Sequence, residues 1–159
     1  MEKIAVHLIA APTEDAAALV RELEDELSAL YLPEQRHGFS LDALFQPHIR
    51  FFIAFVDGKA AGCGGVAFFD GFAEIKRMYV RQAWRGQGVA DAVMARLAEE
   101  AGKAGFSVLR LETGSHSHPA IAFYRRSGFV DCPMFEPYAS LPPHTVETSL
   151  FLEMRLSPE

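Results

Sequence analysis

The chain has 159 residues, of which 50% are hydrophobic, and it carries a formal net charge of −6. This length predicts one domain over residues 1–159 with a sizeable core, and the negative charge argues against a nucleic-acid binder, which needs a surplus of lysine and arginine. The two cysteines are too few for a disulfide scaffold. The sequence shows neither an export segment nor an apolar run long enough to span a membrane. We therefore expect a cytoplasmic protein without nucleic-acid or membrane partners.

The first predicted elements are a strand and an amphipathic helix. Residues 3–9 alternate in polarity, which is typical of a strand. Thr13 is a candidate N-cap, and Glu14 and Asp15 favour the positive end of a helix dipole. The apolar face of this helix comprises Leu19, Val20, Leu23, Leu27 and Leu30. Pro33 ends the helix, and a loop with one short helical turn at residues 41–45 is predicted to follow.

Three antiparallel strands are predicted in the middle of the chain, over residues 51–56, about 61–69 and 72–80. Asp57-Gly58 and Asp70-Gly71 separate them and are typical of hairpin turns. Glycines at positions 62, 64 and 65 of the second strand indicate a bulge or a close backbone approach.

A strand–helix–strand unit is predicted next, because the apolar period changes from two residues to about four. One stripe of the predicted helix comprises Val89, Val93, Leu97 and Ala101. Gly105 is its candidate C-cap, and a strand follows over residues 108–112. A second helix is predicted to begin near Ser117-His118-Pro119 and to end at Gly128. An ordered loop over residues 133–143 then leads to a last strand within residues 146–156.

The predicted fold class is α/β (α+β), with helices packed on a largely antiparallel sheet. The sheet has six to seven strands and about four flanking helices, in the order β-α-α-β-β-β-α-β-α-β-β. The strongly alternating last strand could pair at a sheet edge, so a homodimer through this strand is one expectation.

The segment Arg85-Gly86-Gln87-Gly88-Val89-Ala90 is the candidate anion site. Its glycines allow backbone N–H groups to surround an anion, and the first turn of the following helix adds donors and a positive dipole. Arginines recur at four-residue spacing at positions 77, 81 and 85 of an acidic chain, which favours a phosphate. A dinucleotide fingerprint would need a third glycine where Asp91 stands, and no P-loop motif is present. A turn that merely begins a helix is the alternative.

At this point the sequence resembles the GNAT superfamily of N-acetyltransferases. The signature of that family is Gln/Arg-x-x-Gly-x-Gly/Ala, which Arg85, Gly88 and Ala90 match. Residues 75–80 resemble the central strand of the family, and residues 122–129 resemble its second cofactor segment. The similarity is most specific over residues 72–130.

The resemblance implies acetyl-CoA as co-substrate and no metal. Its pyrophosphate would lie on residues 85–90, and its pantetheine arm would pair with the backbone of Met78, Tyr79 and Val80. In the family, the central strand and the strand after the helix splay apart to admit that arm. The resemblance therefore implies transfer of an acetyl group to a primary amine of a small molecule or peptide, by direct attack on the thioester.

Amine acylation needs a base, an acid for the leaving thiolate and a donor for the oxygen that becomes negative. By resemblance, Tyr124 is the candidate acid, and a core tyrosine is the alternative. Glu74 is the candidate base, directly or through water, and Glu112 is its rival. A surface carboxylate that pairs with Lys76 or Arg77 is the structural alternative for Glu74. A backbone N–H near residues 78–79 is the candidate oxyanion donor.

The remaining candidates are weaker. His116 and His118 are two apart without nearby cysteine or clustered carboxylates, so a polar cap is favoured over a metal site. Cys63 lies on a glycine-rich strand and is predicted to be core rather than nucleophile. We expect the acceptor to bind between two walls. The first helix and residues 31–45 form one wall, and residues 134–144 form the other.

Two other functional classes remain open from the sequence. One is a non-catalytic acyl-CoA-binding module, and the other is an interaction domain with a vacant anion site. Glu34, Asp42 and Glu136 are candidate contacts for a cationic acceptor, with surface carboxylates as the alternative.

Overall fold

The computed structural model describes residues 3–156. The elements in chain order are β1 (Ile4–Ile9), α1 (Glu14–Ser28), β2 (Ile49–Val56), β3 (Lys59–Phe69), β4 (Phe72–Val80), α2 (Val89–Lys103), β5 (Val108–Gly114), α3 (His118–Arg126), β6 (Val130–Asp131) and β7 (Ser149–Arg155). The strands form one seven-stranded sheet in the order β1-β2-β3-β4-β5-β7-β6. Every neighbouring pair is antiparallel except β4 and β5. The predicted α/β class with a largely antiparallel sheet is thus confirmed.

Two predicted elements differ in detail. The described residues contain three α-helices, and the fourth predicted helix is a 3-10 turn over Asp42–Phe45. The last strand begins at Ser149 because residues 143–145 form another 3-10 turn. β6 also pairs with β7 at Glu153 and Leu152, so the outer edge of β7 is partly covered. The edge on which the homodimer expectation rests is therefore only partly open.

The helices cover opposite faces of the sheet. In α1, Thr13 accepts a hydrogen bond from the Ala16 amide at 3.1 Å, which confirms the predicted cap. The buried face of α1 packs on a cluster that includes Phe51 and Ile53 of β2. The neighbouring β2 residue Phe52 points the other way, into the larger core under α2.

β3 approaches α2 closely and faces a bulge in β4. Cys63 pairs with Tyr79 and Gly65 with Lys76, so Gly64 alone opposes two β4 residues. A Cβ on Gly64 would lie 2.6 Å from Met78 Sδ. The glycines of β3 therefore serve both of the roles that the sequence left open, a bulge and a close approach.

β4 and β5 part soon after they begin. Their parallel pairing comprises only Ala73 with Leu109 and Glu74 with Arg110. From Ile75 to Val80, the edge of β4 that faces β5 has no partner strand among the described residues. The splay that the resemblance implied is present, and it creates a cleft in the middle of the sheet.

Candidate active site

A cavity of about 680 Å³ occupies the cleft between β4 and β5. This volume lies within the range of small-molecule and cofactor sites. Its walls come from α1 and the loop after it, the second half of β4, the start of α2, the end of β5, and α3. The second half of β4, the glycine segment and Tyr124 thus contribute to one cavity.

The open edge of β4 forms one wall. Met78, Tyr79 and Val80, the residues predicted to pair with a pantetheine arm, all line the cavity. The preceding bulge places Arg77 at φ 57, in the left-handed region that costs a non-glycine residue about 1–2 kcal/mol. A bulge changes the direction of the backbone groups beside it, so the amides of residues 78–80 are aimed differently from those of a regular edge.

Three interactions hold Arg77 in this conformation. Its carbonyl accepts a hydrogen bond from Cys63 Sγ at 3.3 Å, its Nε donates to the Phe39 carbonyl at 2.8 Å, and its Nη2 pairs with Glu24. Burial raises the pKa of the Cys63 thiol to about 12, which keeps it protonated. The prediction that Cys63 belongs to the core is confirmed by its complete burial.

The glycine segment at the start of α2 forms the second wall. Gly86 and Gly88 have φ of 77° and 87°, and a Cβ on Gly86 would meet nothing within 4 Å. Gly88 is the N-cap of α2 and supplies no side chain, so the first-turn amides have no side-chain cap. The cavity is lined by Arg85, Gly86, Gly88, Val89 and Ala90. The side chain of Gln87 instead donates to the Ala83 carbonyl.

The three arginines do not surround a single anion. Arg81 forms a two-point pair with Glu22, while Arg77 pairs with Glu24. Arg85 pairs with Glu26 at 2.8 Å, but its side chain is 45% exposed. The predicted local excess of positive charge is therefore largely neutralised by carboxylates of α1, and only Arg85 lies in the glycine segment.

Tyr124 and Glu112 face the same cavity from α3 and β5. Burial, and then the nearby charge of Glu112, raises the pKa of Tyr124 above its usual range. Burial also raises the pKa of Glu112, although its Oε2 accepts a hydrogen bond from Ser149 at 2.6 Å. A protonated phenol and a carboxyl group with a raised pKa are thus held close together.

Glu74 is placed differently. It is 1% exposed and does not line the cavity. Its Oε2 lies 3.0 Å from Lys76 Nζ and accepts a hydrogen bond from the Tyr138 hydroxyl. The pairing with Lys76 agrees with the structural alternative for Glu74, but the expected surface position is wrong, because the carboxylate is buried. Its rival Glu112 lines the cavity.

The third wall of the cavity is formed by α1 and the loop after it, the region expected to contact the acceptor. Tyr31 connects this wall to the β5–α3 turn, because its hydroxyl lies 2.9 Å from Ser117 Oγ and accepts a hydrogen bond from the His116 amide. Gly114 makes this approach possible, since a Cβ there would lie 2.0 Å from the Tyr31 hydroxyl. His116 lines the cavity and His118 does not.

The second predicted acceptor wall is not found. No residue from 134–144 lines the cavity, and neither do Glu34, Asp42 or Glu136. Instead, Tyr138 lies behind the wall, where it contacts Lys76. Arg36 and His37, which belong to the predicted wall of residues 31–45, do line the cavity, although the sequence singled out neither side chain. They lie in an irregular loop, where no periodicity marks the direction of a side chain.

Within residues 3–156, no three His, Cys, Asp or Glu side chains cluster as metal ligands would. No helix of that part of the chain is long and apolar enough to cross a bilayer.

Comparison with known proteins finds that residues 16–129 match the acetyltransferase (GNAT) family. An IAA acetyltransferase of Azospirillum brasilense is 39% identical over 148 residues, which cover 91% of this chain and 94% of that protein. A solved structure from Klebsiella pneumoniae subsp. pneumoniae, named as an acyl-CoA N-acyltransferase, is 30% identical with a TM-score of 0.78 and covers 97% of this chain and 98% of its own. An N-acetyltransferase of Thermoplasma acidophilum, solved with coenzyme A, is 16% identical with a TM-score of 0.71 over 95% of this chain and 99% of its own.

Proposed function

Because this chain belongs to the GNAT family of acetyltransferases, we propose that it transfers the acetyl group of acetyl-CoA to a primary amine of a small molecule or a peptide. The observation that carries this proposal is the unpaired edge of β4, which faces Tyr124 and Glu112 across one cavity. An edge of backbone donors and acceptors suits the amide-containing pantetheine arm, which can pair with it like an added strand.

The glycine segment suits the other end of acetyl-CoA. Left-handed Gly86 and Gly88 leave room for a pyrophosphate beside the first-turn amides of α2. Arg85 is the one arginine of this segment, and its exposed guanidinium exchanges Glu26 for a phosphate at little cost, since exposed ion pairs contribute about 0–1 kcal/mol. Met78, Tyr79 and Val80 hold the pantetheine arm between this site and the acyl group.

Glu112 is the proposed base. Its raised pKa brings it nearer to neutral pH, where it accepts one proton from the acceptor ammonium, directly or through water. The neutral nitrogen then forms a bond to the acetyl carbon while the carbon–sulfur bond breaks. Backbone N–H groups near residues 78–79 stabilise the carbonyl oxygen as it becomes negative.

Tyr124 is the proposed acid. Its raised pKa keeps the phenol protonated, so that it can donate a proton to the departing thiolate. The second proton of the attacking nitrogen returns to Tyr124 through solvent. One ammonium and one thioester thus give an amide, a thiol and one released proton.

The test is a thermal-shift measurement with acetyl-CoA, followed by thiol release over a panel of amines and IAA, the latter because it stands in the name of the Azospirillum relative. Tyr124→Phe should lower kcat about 10²- to 10⁴-fold, the usual share of general acid–base catalysis, and leave the Kd of acetyl-CoA nearly unchanged. Stabilisation by acetyl-CoA without thiol release from any acceptor would indicate a binding module, and unchanged kcat in Tyr124→Phe would remove that residue from the mechanism.

A further inference from the structure

The cavity wall formed by α1 and the loop after it contains a cation that the protein only partly neutralises. Arg36 and Arg77 share one carboxylate, because Glu24 Oε2 accepts from Arg36 Nη1 at 2.9 Å while its Oε1 pairs with Arg77 Nη2. Two guanidinium groups against one carboxylate leave one positive charge in excess. Lys76, the other cation on this wall, already has Glu74 as its own partner.

One donor of the Arg36 guanidinium, the Nε, lacks a hydrogen-bond acceptor among the described residues. This nitrogen is buried, and Glu24 is the only protein partner of the guanidinium in that part of the chain. A buried donor without an acceptor is costly, so this edge of the guanidinium is poised for an anion. The Arg36 side chain is 19% exposed and lines the cavity, so its guanidinium is within reach of a ligand bound there.

The other residues that line the cavity near Arg36 indicate the chemistry of the rest of the ligand. Leu23, Leu27 and Leu30 present an apolar wall, with Tyr31 at its end. Glu112 supplies a carboxyl group, and His37, the neighbour of Arg36, lines the same cavity. The cavity therefore brings the Arg36 guanidinium, the Glu112 carboxyl group and apolar side chains to a single space.

We infer that the acceptor is a free α-amino acid with an apolar side chain, whose carboxylate binds Arg36 while its ammonium faces Glu112. This inference rests on the proposed transferase function and narrows its acceptor. Bidentate pairing of guanidinium with carboxylate fixes the direction of the acceptor, and the apolar side chain packs on α1. A peptide fits less well, because its N-terminal residue has no carboxylate next to the amine.

The test compares L-leucine with L-leucinamide, which carries the same amine and side chain but no negative charge. The wild type should have a kcat/KM for leucine about 10- to 150-fold above that for the amide, the range of a hydrogen bond to a charged group. Arg36→Gln should lower kcat/KM for leucine by that factor and leave the value for leucinamide within about threefold. Arg21→Gln, on the exposed face of α1, is the matched control and should change neither value.

A binding measurement separates this inference from the transferase proposal. N-acetyl-L-leucine should bind to the CoA-loaded wild type, and its Kd should rise about 10-fold or more in Arg36→Gln, with unchanged stabilisation by acetyl-CoA as the folding control. Equal use of leucine and leucinamide, or equal losses for both in Arg36→Gln, overturns the inference and leaves the transferase proposal standing. Absence of thiol release from every amine contradicts the transferase proposal, and failure of N-acetyl-L-leucine to bind then overturns the inference as well.

Discussion

Gly64 is the point at which β3, the β4 bulge and α2 come closest, so a single methyl group there tests the packing. A Cβ at this position would lie 2.6 Å from Met78 Sδ, 2.7 Å from Val93 Cγ1 and 3.1 Å from Leu97 Cδ1. Ordinary contacts between such atoms are about 3.5–4.0 Å, so β4 and α2 must each move by several tenths of an ångström or more. Overpacking of this kind costs about 1–3 kcal/mol.

Gly64→Ala should therefore lower Tm by roughly 2–12 °C, since about 1 kcal/mol corresponds to 2–4 °C in a chain of this size. Because α2 begins at the glycine segment and Met78 lies on the open edge, the same variant should weaken acetyl-CoA binding. Tm is measured by circular dichroism, and the Kd of acetyl-CoA by calorimetry.

Gly65→Ala is the matched control. A Cβ there would have its nearest neighbours at 3.5–3.6 Å, which is ordinary contact. Both substitutions reduce the entropy of the unfolded chain equally, so their difference isolates the packing. A Tm of Gly64→Ala equal to or above that of Gly65→Ala would show that the close approach of β3 to α2 does not require glycine at position 64.

Two further predictions concern titratable groups. The raised pKa of Glu112 makes the stability of the wild type fall as pH rises above the ordinary glutamate value of about 4.3. Glu112→Gln should therefore have the higher Tm at neutral pH, and the two Tm values should converge below the ordinary glutamate value. A constant difference in Tm across pH would contradict the burial of this carboxyl group. In the native protein at pH 8, iodoacetamide should alkylate the half-buried Cys132 and leave Cys63 unmodified. The Cys132→Ser variant should then react only after denaturation. Rapid reaction of this variant in its native state would contradict the burial of Cys63.

Local chemistry made much of the fold predictable. Asp57 and Gly58 both adopt positive φ, as an Asp-Gly hairpin requires, and Gly128 ends α3 at φ 108° with Phe129 buried behind it. These features depend on residues adjacent in the chain, so the sequence alone was sufficient. The glycine segment and Tyr124 were proposed from short motifs that resemble those of the family, and their binding and catalytic roles stay predictions.

The ion pairs in the wall formed by α1 and the loop after it were not predictable, because their residues meet only through the tertiary structure. Arg36 and Arg77 lie 41 positions apart and are joined through the shared carboxylate of Glu24. The choice between Glu74 and Glu112 depends on which side of its strand each carboxylate occupies relative to the splay. Three arginines at regular spacing suggested a phosphate site, but pairing with acidic residues of a distant helix is invisible in local sequence.

The brief contact between β4 and β5 also bears on how the molecule unfolds. Backbone pairing joins the β1–β4 sheet to the β5–β7 sheet through only two residue pairs, so the two parts form separate hydrogen-bonded blocks. Amide exchange in the smaller block can then proceed through local opening that leaves the larger block intact. A ligand held along both sides of the cleft connects the blocks, and at 100 times its Kd it adds about 2.7 kcal/mol to the free energy of any opening that releases it. Protection of amides in β7, none of whose residues lines the cavity, would then measure the coupling between the two blocks.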